Sequence, residues 1–202
     1  MKKLLLTSTG FTNKKIGKVF INLLKKPVSD VKIIFIPTAS RTKKEFYYVE
    51  ESKTELIKIG IKTENLLIYN LDKKLSYSHV KDYDVIYVCG GNTFYLTAKM
   101  REDGFDKVIK RLVKEDKLYL GVSVGSVLAG PNIDIASPFD PNDIELKDWT
   151  GLNLTNIIVS PHYNKKDKSI IEKYKKEEGY KIIPLTDNQA LKVIDEKEEI
   201  VE

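Results

Sequence analysis

Short apolar runs alternate with longer amphipathic stretches between residues 3 and 122, and this alternation limits the fold more than any other feature. Residues 3–7, 31–36 (VKIIFI), 65–69, 84–89 (DVIYVC) and 117–122 (KLYLGV) are too short for helices and read as strands. Pro37 stops the second run and Gly90-Gly91 closes the fourth. Between them, residues 13–25 place Ile16, Val19, Phe20, Leu23 and Leu24 at helical spacing. Residues 43–59 do the same with Phe46, Val49, Leu56 and Ile59 as candidate buried positions. Residues 92–115 read as helical with a break near Gly104. Alternating strands and helices with short connections predict an α/β three-layer sandwich with a mostly parallel central sheet. Near-continuous apolar strands fit a sheet buried on both faces.

The pattern changes after Gly130. Residues 131–155 carry Pro131, Pro138 and Pro141 with several Asp and Asn, and read as an irregular loop. Residues 157–160 form a short strand and 168–178 a helix, and 180–184, 190–194 and 199–201 read as C-terminal strands. With 202 residues, one domain spanning 1–202 is expected. The start, Met1-Lys2-Lys3-Leu4-Leu5-Leu6, has too short an apolar run for a signal peptide, and no run suits a membrane span. A cytoplasmic protein without a membrane partner is the expectation.

Composition removes several functions. One cysteine, Cys89, leaves no intrachain disulfide and no cysteine-rich zinc module. His79 and His162 are the two histidines, so no multi-histidine metal site forms beyond a pair. The net charge of +5 rests on lysine, since Arg41, Arg101 and Arg111 are the only arginines. Nucleic-acid readers use arginine forks on bases and phosphates, so no nucleic-acid partner is expected.

The sharpest motif is Gly121-Val122-Ser123-Val124-Gly125, a G-x-S-x-G pattern between an apolar strand and the helix start Ser126-Val127-Leu128-Ala129. In such an elbow the glycines allow a sharp turn and close helix–strand approach, and the serine hydroxyl stands above the sheet. A tight turn with an inert serine is the competing reading. The second motif is Cys89-Gly90-Gly91-Asn92-Thr93, where accessible amides follow strand four and Asn92 or Thr93 can cap the next helix. Ligands of open parallel sheets bind beyond the strands' carboxyl ends. Beside the elbow, the N–H groups of Gly91 and Val124 are expected to form an oxyanion hole, with an ordinary strand-to-helix turn as the competing reading. A serine nucleophile needs a base, and His162 follows the strand 157–160, whereas His79 lies in a polar stretch that suits the surface. The acidic partner is left open by spacing among Asp187, Asp134 and Asp148, and the last two would give the order of an α/β-hydrolase esterase. Cys89 reads as a buried, inert thiol.

Taken together, the Gly90–Thr93 turn, the Leu120–Ser126 segment, Pro161-His162-Tyr163 and Pro184-Leu185-Thr186-Asp187 resemble the peptidase E family of serine peptidases, over nearly the whole chain. The resemblance implies a class I glutamine amidotransferase-like fold and a dipeptidase-like activity on small peptides. It implies Ser123 as nucleophile, His162 as general base and acid, and Gly91 and Val124 as oxyanion donors. It also implies Asp187 as the acid, where the best-known relatives carry glutamate. Asn92 and Tyr163 fall where substrate binds. No metal or organic cofactor is implied, and a homodimer is compatible with it. Aspartyl dipeptidases of the family read the substrate aspartate with an arginine after the histidine. None lies between His162 and Asp187 here, so aspartate specificity is not carried over. A cyanophycinase-like hydrolase and a binding or regulatory member without turnover are the alternatives within the fold.

Overall fold

The computed structural model describes the backbone of residues 1–202 and the side chains of all but residues 176–178. In chain order the first half comprises β1 (Lys3–Thr7), α1 (Lys14–Leu23), β2 (Ile33–Ile36), α2 (Lys43–Lys58), β3 (Leu66–Ile68), α3 (Tyr77–Val80), β4 (Val85–Val88), α4 (Thr93–Asp103), α5 (Phe105–Lys114), β5 (Leu118–Val122) and α6 (Val124–Leu128). The second half comprises β6 (Ile157–Ser160), α7 (Lys168–Glu178), β7 (Lys181–Pro184), β8 (Ala190–Ile194) and β9 (Lys197–Val201). The expected break falls at Gly104, whose φ of 83° caps α4 while its N–H donates to the carbonyls of Met100 and Arg101.

Seven strands form one sheet in the order β3-β2-β4-β5-β1-β8-β9. The five from the first half are parallel, so the fold is α/β with a mostly parallel central sheet flanked by helices. The strands are apolar at nearly every position because both faces are covered. Leu4, Leu6, Ile34, Ile36, Ile86, Val88 and Tyr119 point to the face packed by α4, α5 and α6. Leu5, Ile33, Phe35, Val85, Tyr87, Leu118 and Leu120 point to the face packed by α1 and α2. This period-2 split follows from the pleat. On α1, Ile16, Phe20 and Leu23 are buried, each contributing about 1.5–3 kcal/mol of hydrophobic stabilisation.

Two features depart from a simple parallel reading. β8 pairs antiparallel with β1, and β9 antiparallel with β8. Only Asp195 and Glu196 separate β8 from β9, and a two-residue connection permits no other direction. β6 and β7 do not join the main sheet but form a separate parallel pair. The short helix α3 occupies the stretch read as merely polar, and exposed His79 accepts the Ser76 N–H at its cap. Residues 131–155 are irregular yet packed, with Ile133, Ile135, Leu152 and Leu154 in the core. No helix of the described residues is long and apolar enough to cross a membrane.

Candidate active site

The strand order fixes where the chemistry-bearing residues meet. β5 lies between β4 and β1, so Gly91, Ser123 and Ser8 emerge side by side at one carboxyl edge. β8 runs the other way, and its first residue, Ala190, pairs with Thr7 at the end of β1. The segment leading into β8 therefore arrives at the same edge and brings Asp187 with it. The β6–β7 pair delivers His162, anchored where Leu185 N–H donates to Ser160 O and Tyr163 N–H to Leu185 O, both at 2.9 Å.

Ser123 sits in the turn from β5 to α6 with φ 51° and ψ −109°. Three bonds hold that turn against β1 and β5. Ser123 N–H donates to Thr7 O at 2.9 Å, and Ser126 Oγ reaches Thr7 O and Gly121 O, both at 2.8 Å. The flanking glycines are required by contact. A Cβ on Gly121 would lie 2.5 Å from the Gly125 backbone, and one on Gly125 would lie 2.3 Å from Val88 O. Gly91 has φ 141°, and a Cβ there would lie 2.1 Å from Ala39 O.

The three side chains form one hydrogen-bonded chain. His162 Nε2 lies 2.9 Å from Ser123 Oγ, and His162 Nδ1 lies 2.7 Å from Asp187 Oδ1. Both imidazole nitrogens are thus occupied, by Ser123 and Asp187. Asp134 instead opens a single 3-10 turn in the 131–155 loop. Asp148 accepts from Thr150 Oγ1 at 2.7 Å and pairs with Arg101 at 3.2 Å. The Thr150 hydroxyl and amide, then Arg101, hold the Asp148 carboxyl below its ordinary value. Cys89 is 2% exposed, and burial pushes its thiol well above the ordinary range.

A cleft of about 270 Å³ opens beside Ser123, with Gly91, Val124 and His162 on the sheet side. Val124 opens α6, and the first amides of a helix have no partner within it. The opposite wall is the 131–155 loop, which supplies Ile135, Ala136, exposed Phe139 and Asp140. Asp140 Oδ2 accepts from Thr93 N–H at 2.8 Å and from Thr93 Oγ1 at 2.5 Å, tying this wall to the start of α4. Asn92 does not line the cleft. It is 4% exposed, its Oδ1 caps α4 at Tyr95 N–H, and its Nδ2 donates to Pro141 O. Tyr163 is half-buried against the core, also away from the cleft lining. Neither expected substrate contact is among the residues that line this cleft, and Asn92 is engaged by the α4 cap and by Pro141. The wall residues Phe139 and Asp140 and the buried Ser8 have no motif that would have announced them. Among the described residues, no group of three or more His, Cys, Asp or Glu side chains could hold a metal ion.

Fold and site together define an α/β protein with a serine–histidine–aspartate chain on the carboxyl edge of a mostly parallel sheet. Residues 4–201 match peptidase family S51. The chain belongs to that family, the peptidase E family, and is by family a peptidase and a hydrolase. It is 34% identical over 172 residues to an uncharacterized peptidase of Listeria innocua, covering 82% of this chain and 81% of that one. It is 29% identical over 169 residues to peptidase E of a Nostoc species, covering 81% and 66%. Among solved structures, a candidate peptidase E from Listeria monocytogenes superposes with a TM-score of 0.80 at 32% identity, over 100% of this chain and 98% of that one. A peptidase from an acI-B1 actinobacterium shares the fold, with a TM-score of 0.68 at 18% identity over 100% and 87%.

Proposed function

We propose that this chain is a serine peptidase that hydrolyses short peptides, dipeptides among them, through an acyl-enzyme. The observation that carries the reading is the unbroken hydrogen-bond chain from Asp187 through His162 to Ser123, beside a cleft. Ser123 Oγ attacks the scissile carbonyl carbon while His162 Nε2 takes its proton. The carbonyl oxygen becomes the oxyanion and is met by the N–H groups of Gly91 and Val124. Asp187 holds the imidazole with its proton on Nδ1 and stabilises the imidazolium. His162 then protonates the departing amine, and water, deprotonated by the same imidazole, releases the acid and frees Ser123. The β5–α6 turn acts as the nucleophile elbow in this scheme. The working setting is the cytoplasm, with a small peptide as partner and neither nucleic acid nor membrane involved.

A dipeptide library screened with wild type and Ser123→Ala side by side tests this. Wild type should cleave and be labelled by a serine-directed phosphonate. Ser123→Ala should lose labelling and at least about 10³-fold in turnover. Full activity in Ser123→Ala would overturn the proposal. A wild type that neither cleaves nor labels would make the chain a binding or regulatory member instead.

A further inference from the structure

Ser8, the first residue beyond β1, is fully buried. Its Oγ donates to Asp187 Oδ1 at 3.1 Å and accepts the His162 backbone N–H at 2.8 Å. A hydroxyl has one proton and two lone pairs, and an amide can only donate. The direction of both bonds is therefore fixed, with the Ser8 proton committed to the carboxylate. Asp187 Oδ1 also takes the imidazole, so one carboxylate oxygen receives both groups. Two neighbouring contacts hold this corner: Ser8 N–H donates to Gln189 O at 3.2 Å, and Thr9 Oγ1 donates to Asp187 O at 2.6 Å. His162 itself has φ 55°, a left-handed conformation uncommon outside glycine.

We infer that Ser8 is a positioning residue: its hydroxyl clamps the main chain of His162 to the carboxylate of Asp187 and so sets the imidazole against Ser123. The inference rests on the peptidase reading for its kinetic consequence, but the clamp itself is a matter of geometry. Without Oγ, the His162 amide loses its acceptor and the Asp187 carboxylate loses a donor that opposes its rotation. Ser8 is not itself a lining residue of the cleft, and its side-chain bonds go to His162 and Asp187, so its influence passes through the histidine and the aspartate.

The test compares wild type, Ser8→Ala and Ser8→Thr, the last of which keeps the hydroxyl. The spectroscopic readout is the far-downfield proton NMR signal of His162 Nδ1–H on Asp187, assigned by its disappearance in His162→Gln. Ser8→Ala should broaden or abolish that signal, and Ser8→Thr should retain it. On a cleaved dipeptide, Ser8→Ala should lower kcat about 10–100-fold and leave KM within about threefold, with recovery in Ser8→Thr. In an Asp187→Asn background the same change should cost under about threefold, because residues acting through one network are not additive. A folded Ser8→Ala with an unchanged signal and unchanged kcat overturns the inference, even if it melts earlier. Should Ser8→Ala not fold, Ser8→Cys keeps the shape, weakens the donor and takes its place. The signal is present or absent whether or not peptides are cleaved, so failure of the peptidase reading in Ser123→Ala stays separate from failure of the clamp.

Discussion

Ser123 holds φ 51° and ψ −109°, close to the first central position of a type II′ turn, a conformation that favours glycine. The bonds from Ser123 N–H to Thr7 O and from Ser126 Oγ to Gly121 O impose it from outside. Such a backbone costs about 1–3 kcal/mol in a non-glycine residue. Ser123→Ala and Ser123→Gly both lose the bond to His162 Nε2, so comparing them isolates the backbone term. Alanine keeps the strain. Glycine relieves it but gives back about 0.5–1 kcal/mol through the greater freedom of its unfolded chain. The difference is about 1 kcal/mol in favour of glycine. In a 202-residue chain that corresponds to a melting temperature about 2–4 °C higher. Thermal melts by circular dichroism, with urea midpoints at unchanged m, measure it. Both variants should be inactive. If Ser123→Gly melts at or below Ser123→Ala, the strain argument is refuted.

Gly125→Ala should drive α6 from β4, since its Cβ would meet Val88 O at 2.3 Å; about 1–3 kcal/mol of stability and most peptidase activity should be lost, as read by melting and by turnover. Asp187→Ala should sharply reduce turnover while Asp134→Ala and Asp148→Ala leave it near wild type; the opposite pattern would point to an esterase-like arrangement. Asp148 has a depressed folded value, so its stabilising effect is full above the ordinary 3.8 and fades as pH falls through the lower value. Asp148→Asn should flatten that acid-side loss in melting temperatures recorded from neutral to strongly acidic pH. Cys89 should resist thiol reagents in the native state and react on unfolding, which mass spectrometry reports.

The strands of the main sheet were legible because their apolar runs are short, and α1 and α2 because their apolar residues recur at helical spacing. Asn13 and Thr42 cap those helices as their residue types suggest. Strand direction was not legible after residue 156. A strand of four or five residues carries no mark of parallel or antiparallel pairing, and the β8–β9 turn, Asp195-Glu196, lacks the glycine that announces a hairpin. The glycine–serine motif marked the β5–α6 turn because steric contacts leave no other residue at 121 and 125. Asp187 could not be separated from Asp134 and Asp148 by spacing, because its approach to His162 depends on β8 running against β1. Asn92 caps α4 as its residue type and place after the strand suggest, while its second bond, to Pro141 O, depends on a loop 49 residues away and left no sequence signal. Ser8 left no trace at all, since one serine after a strand is ordinary until its two partners are seen.

Gly91, Ser123 and Ser8 all lie beyond the ends of strands whose interiors contact only the two apolar layers. Stability and selectivity are consequently written on different residues. A change at Ile34 or Phe35 should alter how firmly the platform holds together, whereas one at exposed Phe139 should alter what the cleft admits. On the proposed reading, such a chain can drift in its wall loop toward new peptides while its strands keep Ser123, His162 and Asp187 in register.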